Sequence, residues 1–398
     1  MGRKVNIVIV GGGFGGIKTA LELAKKKTHS ITLISNSPNF LYYPALFSTA
    51  TGHSHKESWV PLKEIFKKVP NVRIVMDTVT TYCPENKQVV GASNRRYKFD
   101  KLVLSLGSVT TYFGIDGLDA YSYGIKSEDE IRNLQKHLVE ELSDGSDDEK
   151  NYVIIGGGPT GVELAGALGE YLKILRKYFN AAEPNHAKIS LIEAAPRILP
   201  RMSEKTSAVA QKRLEKLGVN VETEKRVEGL TADSLIVNGD PLMTQTVIWT
   251  SGVANAPFYK ENEKLFILDN RNNVVVDEYM LAAPDVYVIG DNAATPYAGL
   301  AQTALHDAMY VAKHINGSKK KYKAVHPPSV VPVGHRWAVF EWKKLRFAGF
   351  PGGVLRRMAD LIGYHDVLPI GWALTAWKAG TQRELFIPDV HDQQHKTN

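Results

Sequence analysis

Cysteine is almost absent. The 398 residues hold one, Cys83, so no intrachain disulfide can form. That fits a reducing compartment. Long apolar runs are absent too: nothing in the chain approaches the ~18–20 residues needed to span a bilayer. No export leader is expected, because Met1-Gly2-Arg3-Lys4-Val5 runs into a strand-like stretch without an apolar core or a cleavage site. Asn6 stands where a myristoylation motif wants Ser or Thr. No Cys and His cluster has metal-ligand spacing, so no metal is expected. The chain is basic, with net charge +7 and pI about 9.1. No nucleic-acid-binding signature accompanies that charge, so nucleic acid is not an expected partner. The charge serves either solubility or attraction to an anionic surface. The length suggests two domains plus an appendage.

What is there is a pattern that occurs twice. Residues 5–10, Val-Asn-Ile-Val-Ile-Val, form a β-branched run suited to a buried parallel strand. Gly11-Gly12-Gly13-Phe14-Gly15-Gly16 follows, then a helix-like stretch from Ile17 to Ala24 and a second strand-like run, Ser30 to Ile34. The second copy runs from Tyr152 through Gly156-Gly157-Gly158-Pro159-Thr160-Gly161 into Val162–Leu168, then to Lys188–Ile192. One G-x-G-x-x-G is weak. Two, each between a strand and a helix inside a βαβ unit, point to two dinucleotide-binding units. Gly11 and Gly156 permit the tight turn, Gly13 and Gly158 let a pyrophosphate approach the backbone, and Gly16 and Gly161 let helix pack against strand. The helix N-terminus offers free N–H groups to the phosphates.

The ribose position differs between copies. Glu193 ends the second copy's second strand, 32 residues past Gly161, a longer spacing than the usual ~20. Glu170–Asn185 accounts for the excess as a helix extension plus a loop. A carboxylate there accepts from a ribose 2′-OH and repels a 2′-phosphate, which favours NADH over NADPH; Arg197 and Arg201 nearby pull the other way. In the first copy the place is taken by Ser35, 19 residues past Gly16, with Asn36 beside it. A third element, Asp285–Gly290, is an apolar strand ending in Gly290-Asp291 ahead of an expected helix. Asp291 is placed either to hold a sugar hydroxyl or to cap that helix.

These residues resemble the two-dinucleotide-binding flavoproteins and, among them, the type II NADH:quinone oxidoreductases. The resemblance runs over residues 4–330, more loosely beyond. It rests on Val8–Gly16, Tyr43-Pro44-Ala45-Leu46, Phe99–Gly107, Ile155–Gly166, Thr246–Val253, Tyr287–Asp291 and Ala301-Gln302-Thr303-Ala304. It implies an α/β fold with two Rossmann-like domains, one for FAD and one for NADH, plus a C-terminal membrane-association or dimerisation segment. The implied bounds are 1–115 with 278–330 for FAD, 116–277 for NADH and 331–398 for the tail. It implies that Gly11, Gly13, Phe14, Gly16, Ser35, Asn36, Pro44, Gly107, Asp291 and Ala301 border FAD. Gly156, Gly158, Thr160, Gly161, Glu193 and Gly252 would border NADH. Glu163 would sit near nicotinamide and flavin, and Gln302 at the flavin's quinone end. The family commonly has a second Gln where this chain has His306, which could relay a proton or be an ordinary helix histidine. Glu163 likewise could shuttle a proton or simply complement the helix dipole.

The implied reaction moves hydride from NADH to flavin and two electrons on to a quinone, without proton pumping. The implied partners are quinone, a membrane surface and a second copy of the chain. The implied location is peripheral, on the cytoplasmic side of a membrane. Two alternatives stand beside this: a soluble NADH reductase of a ferredoxin- or rubredoxin-type carrier, and a slow-turnover NADH-sensing flavoprotein. Disulfide reductases and sulfide:quinone oxidoreductases need more cysteine than Cys83. Flavin peroxidases and coenzyme A disulfide reductases need one within residues 35–50, where there is none. Ser143–Lys150 is read as a domain-boundary loop, and Lys319–Lys323 as a solvated one. In the tail, Val354, Leu355, Met358, Leu361 and Ile362 fall at helical spacing with Arg356 and Arg357 alongside, and Trp372 and Trp377 follow. Basic residues and tryptophans on an amphipathic stretch suit an interfacial anchor; a core-capping helix or a dimer face is the plainer reading.

Overall fold

The computed structural model describes residues 4–143, 150–179 and 188–385. The Met1–Arg3 leader reading, most of the 143–150 loop and the end of the Glu170–Asn185 segment lie outside them. Two parallel sheets organise the chain. The first runs in the order Leu281–Ala283, Val286–Val288, Lys101–Leu104, Val5–Val10, His29–Ser35, Val72–Met76, all parallel except the first strand. The second runs Val219–Glu222, Lys188–Ile192, Asn151–Ile155, Thr246–Trp249, all parallel. In each sheet the strand feeding the glycine turn is central, which explains its unbroken β-branched composition. Ile7, Val8, Ile9 and Val10 are buried, as are Val153, Ile154 and Ile155.

The chain leaves the first sheet and returns to it side by side, Ser108–Thr110 pairing antiparallel with Val253–Asn255. From there Phe258, Tyr259, Phe266 and Val274 pack into the first core. The return to the first core therefore comes near residue 256, short of the expected 278, because this aromatic-rich segment buries its rings against Tyr82 and one another. The tail forms a three-stranded antiparallel sheet, Ser329–Pro332, Ala338–Trp342 and Leu345–Gly349, followed by helices Phe350–Val367 and Ile370–Ala379. Pro369 separates the helices, since proline disfavours helix in the residue before it. Val331, Val333 and Val339 join the second core, whereas Tyr364, Val367, Ala373 and Ala376 join the first. The tail thus bridges both halves. Among the described residues no helix is long and apolar enough to cross a membrane.

One feature of the tail departs from its sequence pattern. Phe350, Val354, Met358 and Ile362 recur every four residues and are 63%, 44%, 56% and 63% exposed. Arg356 and Arg357 do not flank this stripe: they face the protein. Arg356 joins a buried ion cluster, and Arg357 lies over the Trp377 ring at 4.6 Å while donating to the Trp377 carbonyl at 2.6 Å. Trp372 and Trp377 pack against the first core. The basic and tryptophan part of the interfacial-anchor pattern is spent on internal contacts, and the exposed stripe is purely apolar.

Candidate functional site

The two glycine turns are near-superimposable in their constraints. Gly11 and Gly156 both have φ +114°, a conformation that L side chains rarely adopt. A Cβ on Gly16 would lie 1.9 Å from the Gly11 carbonyl oxygen, and one on Gly161 would lie 1.9 Å from that of Gly156. Gly13 and Gly158 have nothing within 4 Å of where a Cβ would be. Space is therefore open where a pyrophosphate must approach, and filled where helix must meet strand. Helices Phe14–Ala24 and Pro159–Phe179 have no acidic residue in the first turn, so the dipole's positive end is left free for an anion. These cradles fit two dinucleotides. Phe14 contributes backbone only, because its ring packs edge-on against Phe40 at 5.0 Å. Thr160 lies half-buried in the second helix's first turn.

Glu193 reaches back over the second turn. One carboxylate oxygen accepts from Gly157 N–H at 2.6 Å and the other from Ala195 N–H at 2.7 Å. Both bonds fix it at the mouth of the turn with lone pairs to spare. Ser35 is turned inward instead: its hydroxyl donates to the Ser37 carbonyl at 2.8 Å, and it is buried beneath Gly12. Asn36 beside it is exposed. Gly252 (φ +78°) lies against Thr111 and Phe113 at the paired strands that join the halves.

Asp291 does not open an α-helix. It sits in a single 3₁₀ turn, Gly290–Asn292, and the helix begins at Ala301. Its carboxylate accepts from Ser108 Oγ at 2.9 Å. Two residues that motif reading passed over hold this turn. Asn292, fully buried, accepts from Gly107 N–H at 2.9 Å and donates to its carbonyl at 2.7 Å, tying the two strand ends together. Asp307, also fully buried, accepts from Gly290 N–H at 3.0 Å and from Tyr322 Oη at 2.6 Å; burial raises its pKa. The place of Asn292 next to Gly-Asp was an available signal; Asp307, 17 residues past Gly290, had none.

Glu163 is buried, and its partner comes from the tail. Arg356 Nη1 donates to Glu163 Oε1 at 3.1 Å, and Arg356 Nε donates to Asp360 at 3.1 and 3.2 Å. Arg356 Nη2 donates to the Pro44 carbonyl. Burial pushes the Glu163 carboxyl up to about 7 against the lowering pull of Arg356. Asp360 is raised by burial in the same way. No local sequence pattern linked position 163 to position 356. Beside this cluster lies a cavity of about 730 Å³, lined by the Pro44–Ser48 stretch, by Glu57, Arg356 and Asp360, and by Phe350, Val354 and Met358 of the tail. Gln302 is exposed at the start of its helix, and Ala301 half-buried. His306 is not brought to Glu163: its Nε2 lies 3.0 Å from the Lys323 carbonyl, with its ring against Tyr322.

With this geometry in hand, comparison decides the family. Residues 5–308 match the pyridine nucleotide-disulphide oxidoreductases. The chain belongs to that family. It is 28% identical to a Mycobacterium tuberculosis protein named type II NADH:quinone oxidoreductase NdhA, over 95% of this chain and 87% of that protein. It is 27% identical to the Staphylococcus aureus type II NADH:quinone oxidoreductase, over 95% and 98%. In fold it is similar to NDH2 of Plasmodium falciparum, solved with NADH, at TM-score 0.83 and 18% identity, covering 97% of this chain and all of that one. FAD and NADH are the dinucleotides of this family member, and the two cradles accommodate them. With Cys83 as its one cysteine, the chain cannot form the intrachain redox pair of a dithiol disulfide reductase.

Proposed function

We propose that the protein is a membrane-surface NADH:quinone oxidoreductase, non-electrogenic, that passes two electrons from NADH by way of FAD to a lipid-soluble quinone. The observation that carries this reading is the cavity of about 730 Å³ beside Pro44, lined both by polar groups, Glu57, Arg356 and Asp360 among them, and by the apolar tail residues Phe350, Val354 and Met358. A quinone offers an apolar ring with two carbonyls and needs that combination. Phe350, Val354 and Met358 are exposed, as are Ile362, Ile370 and Leu374 further along the tail helices. An exposed apolar patch of this kind marks an interaction surface, and we assign it to the lipid that delivers quinone. A second copy of the chain is the competing occupant.

In this reading Gly11, Gly13, Gly16 and Asp291 hold FAD, with the backbone of Phe14, Gly107 and Ala301, the Pro44 stretch, and Ser35 and Asn36 at its border. Gly156, Gly158, Thr160, Gly161, Glu193 and Gly252 hold NADH. FAD, when bound, supplies hydride acceptance and two-electron transfer. The protein's part is alignment of the two dinucleotides, which dominates such a step. Two protons must accompany two electrons to a quinone. A carboxyl at about 7 exchanges protons near neutral pH, so we give this work to Glu163 at Oε2, the oxygen that Arg356 does not engage. His306 is the weaker choice, because its Nε2 is committed to Lys323. Gln302 does not line the cavity, and its assignment to a quinone carbonyl rests on the resemblance alone.

The test is steady-state NADH oxidation by FAD-loaded protein with and without a soluble quinone analogue. Fast turnover only with quinone, reduced by Gln302→Ala and shifted in pH profile by Glu163→Gln, supports the reading. Rapid flavin reduction without quinone turnover overturns it and leaves a carrier-protein reductase or an NADH sensor.

A further inference from the structure

A lysine outside every motif discussed so far carries an inference about the flavin itself, and it rests on the FAD assignment. Lys126 lies on the short strap that leads into helix Glu128–Ser143. That strap is rigid. Ser127 and Glu130 form a reciprocal helix cap: Glu130 N–H donates to Ser127 Oγ at 3.1 Å, and Ser127 N–H donates to Glu130 Oε2 at 3.3 Å. The same Glu130 oxygen accepts from Lys126 N–H at 2.5 Å. The backbone of Lys126 is therefore held, and its side chain projects from a fixed base.

The ammonium at the end of that side chain is the anomaly. Lys126 Nζ is shut off from solvent and donates to no acceptor among the described residues. A buried cation without a partner is expensive, of the order of several kcal/mol, and folded chains seldom retain one that serves nothing. The charges that act on it are those of Glu130 and Asp291, and the same two act on Tyr43. Lys126 and Tyr43 thus share the neighbourhood of the Asp291 carboxylate.

We propose that Lys126 is the cationic partner of the bound flavin ring, holding the negative charge that the ring gains on reduction. A fixed positive charge beside a group that becomes more negative favours the reduced state, and in a water-poor site it does so strongly. The ring fills the space that leaves the ammonium unpartnered, so the burial that is unfavourable without cofactor becomes favourable with it. Lys126 would then set how readily the flavin accepts electrons from NADH and how readily it releases them.

The experiment uses FAD-loaded protein carrying Lys126→Gln or Lys126→Arg, with flavin reduction followed spectroscopically against a reference dye. In Lys126→Gln the reduced-to-oxidised ratio at a fixed potential falls roughly tenfold, equal to ~30 mV for a two-electron couple. Lys126→Arg restores most of it. Flavin content in the same samples stays near the wild-type level. An unchanged potential overturns the proposal. So does loss of FAD at unchanged potential, which would put the ammonium on the pyrophosphate. Thermal melting of the flavin-free proteins gives a second readout: Lys126→Gln melts at or above wild type, because an unpaired buried charge is gone. A clear fall there would mean that Lys126 is structural. Failure of the wild-type chain to take up FAD would overturn the flavin assignment itself and is read separately.

Discussion

Replacing Arg356 by Met tests how the tail is coupled to the dinucleotide sites. The guanidinium, with a side chain only 11% exposed, serves Glu163, Asp360 and the Pro44 carbonyl together. Met conserves much of the volume and removes the charge. Glu163 then remains buried without its cation and Asp360 keeps only the charge of Arg357, and breaking such a pair costs about 3–5 kcal/mol. That loss depends on pH, with a sign that can be derived. Burial holds Glu163 up to about 7, and Asp360 is raised likewise, while the Arg356 charge lowers both. Without Arg356 both rise further. A carboxyl whose folded pKa exceeds its unfolded one stabilises the fold below the unfolded pKa and loses that contribution as pH climbs through the folded value. The variant should be close to wild type near pH 5 and fall furthest behind near pH 8.5. Urea denaturation midpoints of both proteins at the two pH values measure this. The double variant Arg356→Met/Glu163→Gln should recover a good part of the loss at pH 8.5 and little at pH 5. Equal losses at both pH values, with additive single effects, would refute the argument.

Other consequences are simpler. Gly158→Ala places a methyl group in open space; stability should hold while KM for NADH rises at least tenfold, whereas Gly161→Ala, 1.9 Å from a carbonyl, should fail to fold properly. Glu193→Ala removes the acceptor for two backbone N–H groups; KM for NADH should rise and the preference over NADPH shrink, as read by kcat/KM for each. Glu57 is buried and raised to about 8, so wild-type stability should decline from about pH 4.5 towards 8. Glu57→Gln should flatten that slope, whose ceiling is about 1.4 kcal/mol per pH unit, in denaturation curves across that range. The double variant Ile362→Ser/Ile370→Ser, at exposed positions outside the cavity lining, should keep turnover with a water-soluble quinone and lose sedimentation with lipid vesicles. Unchanged sedimentation would remove lipid as the stripe's occupant.

Much of the site was legible because its chemistry is local. Gly11, Gly13 and Gly16 act within six residues, and their demands on backbone and volume hold whatever surrounds them. The same is true of the second copy, and Glu193 follows from its strand's end. Legibility failed where a contact crosses the chain. Arg356 and Arg357 read as surface charges because a helical pattern shows which residues share a face, not what the other face meets. Asp291 read as a holder of a sugar hydroxyl or as a helix cap, without the 3₁₀ turn that it occupies; Asp307, which holds that turn, is tied to it by a backbone bond that spacing does not reveal. The return of residues 256–274 to the first core was hidden because aromatic residues suit either core equally.

Sequence alone determined the two dinucleotide cradles, the exclusion of intrachain disulfide chemistry and the family, since each follows from residue type at short range. Tertiary structure decided the rest. It set the tail against both halves, gave Glu163 its cation from residue 356, opened a cavity there and left Lys126 buried without a partner. The physical reason is that charge and burial are properties of what lies a few ångströms away in space, and for these groups the neighbours lie up to 312 residues away along the chain.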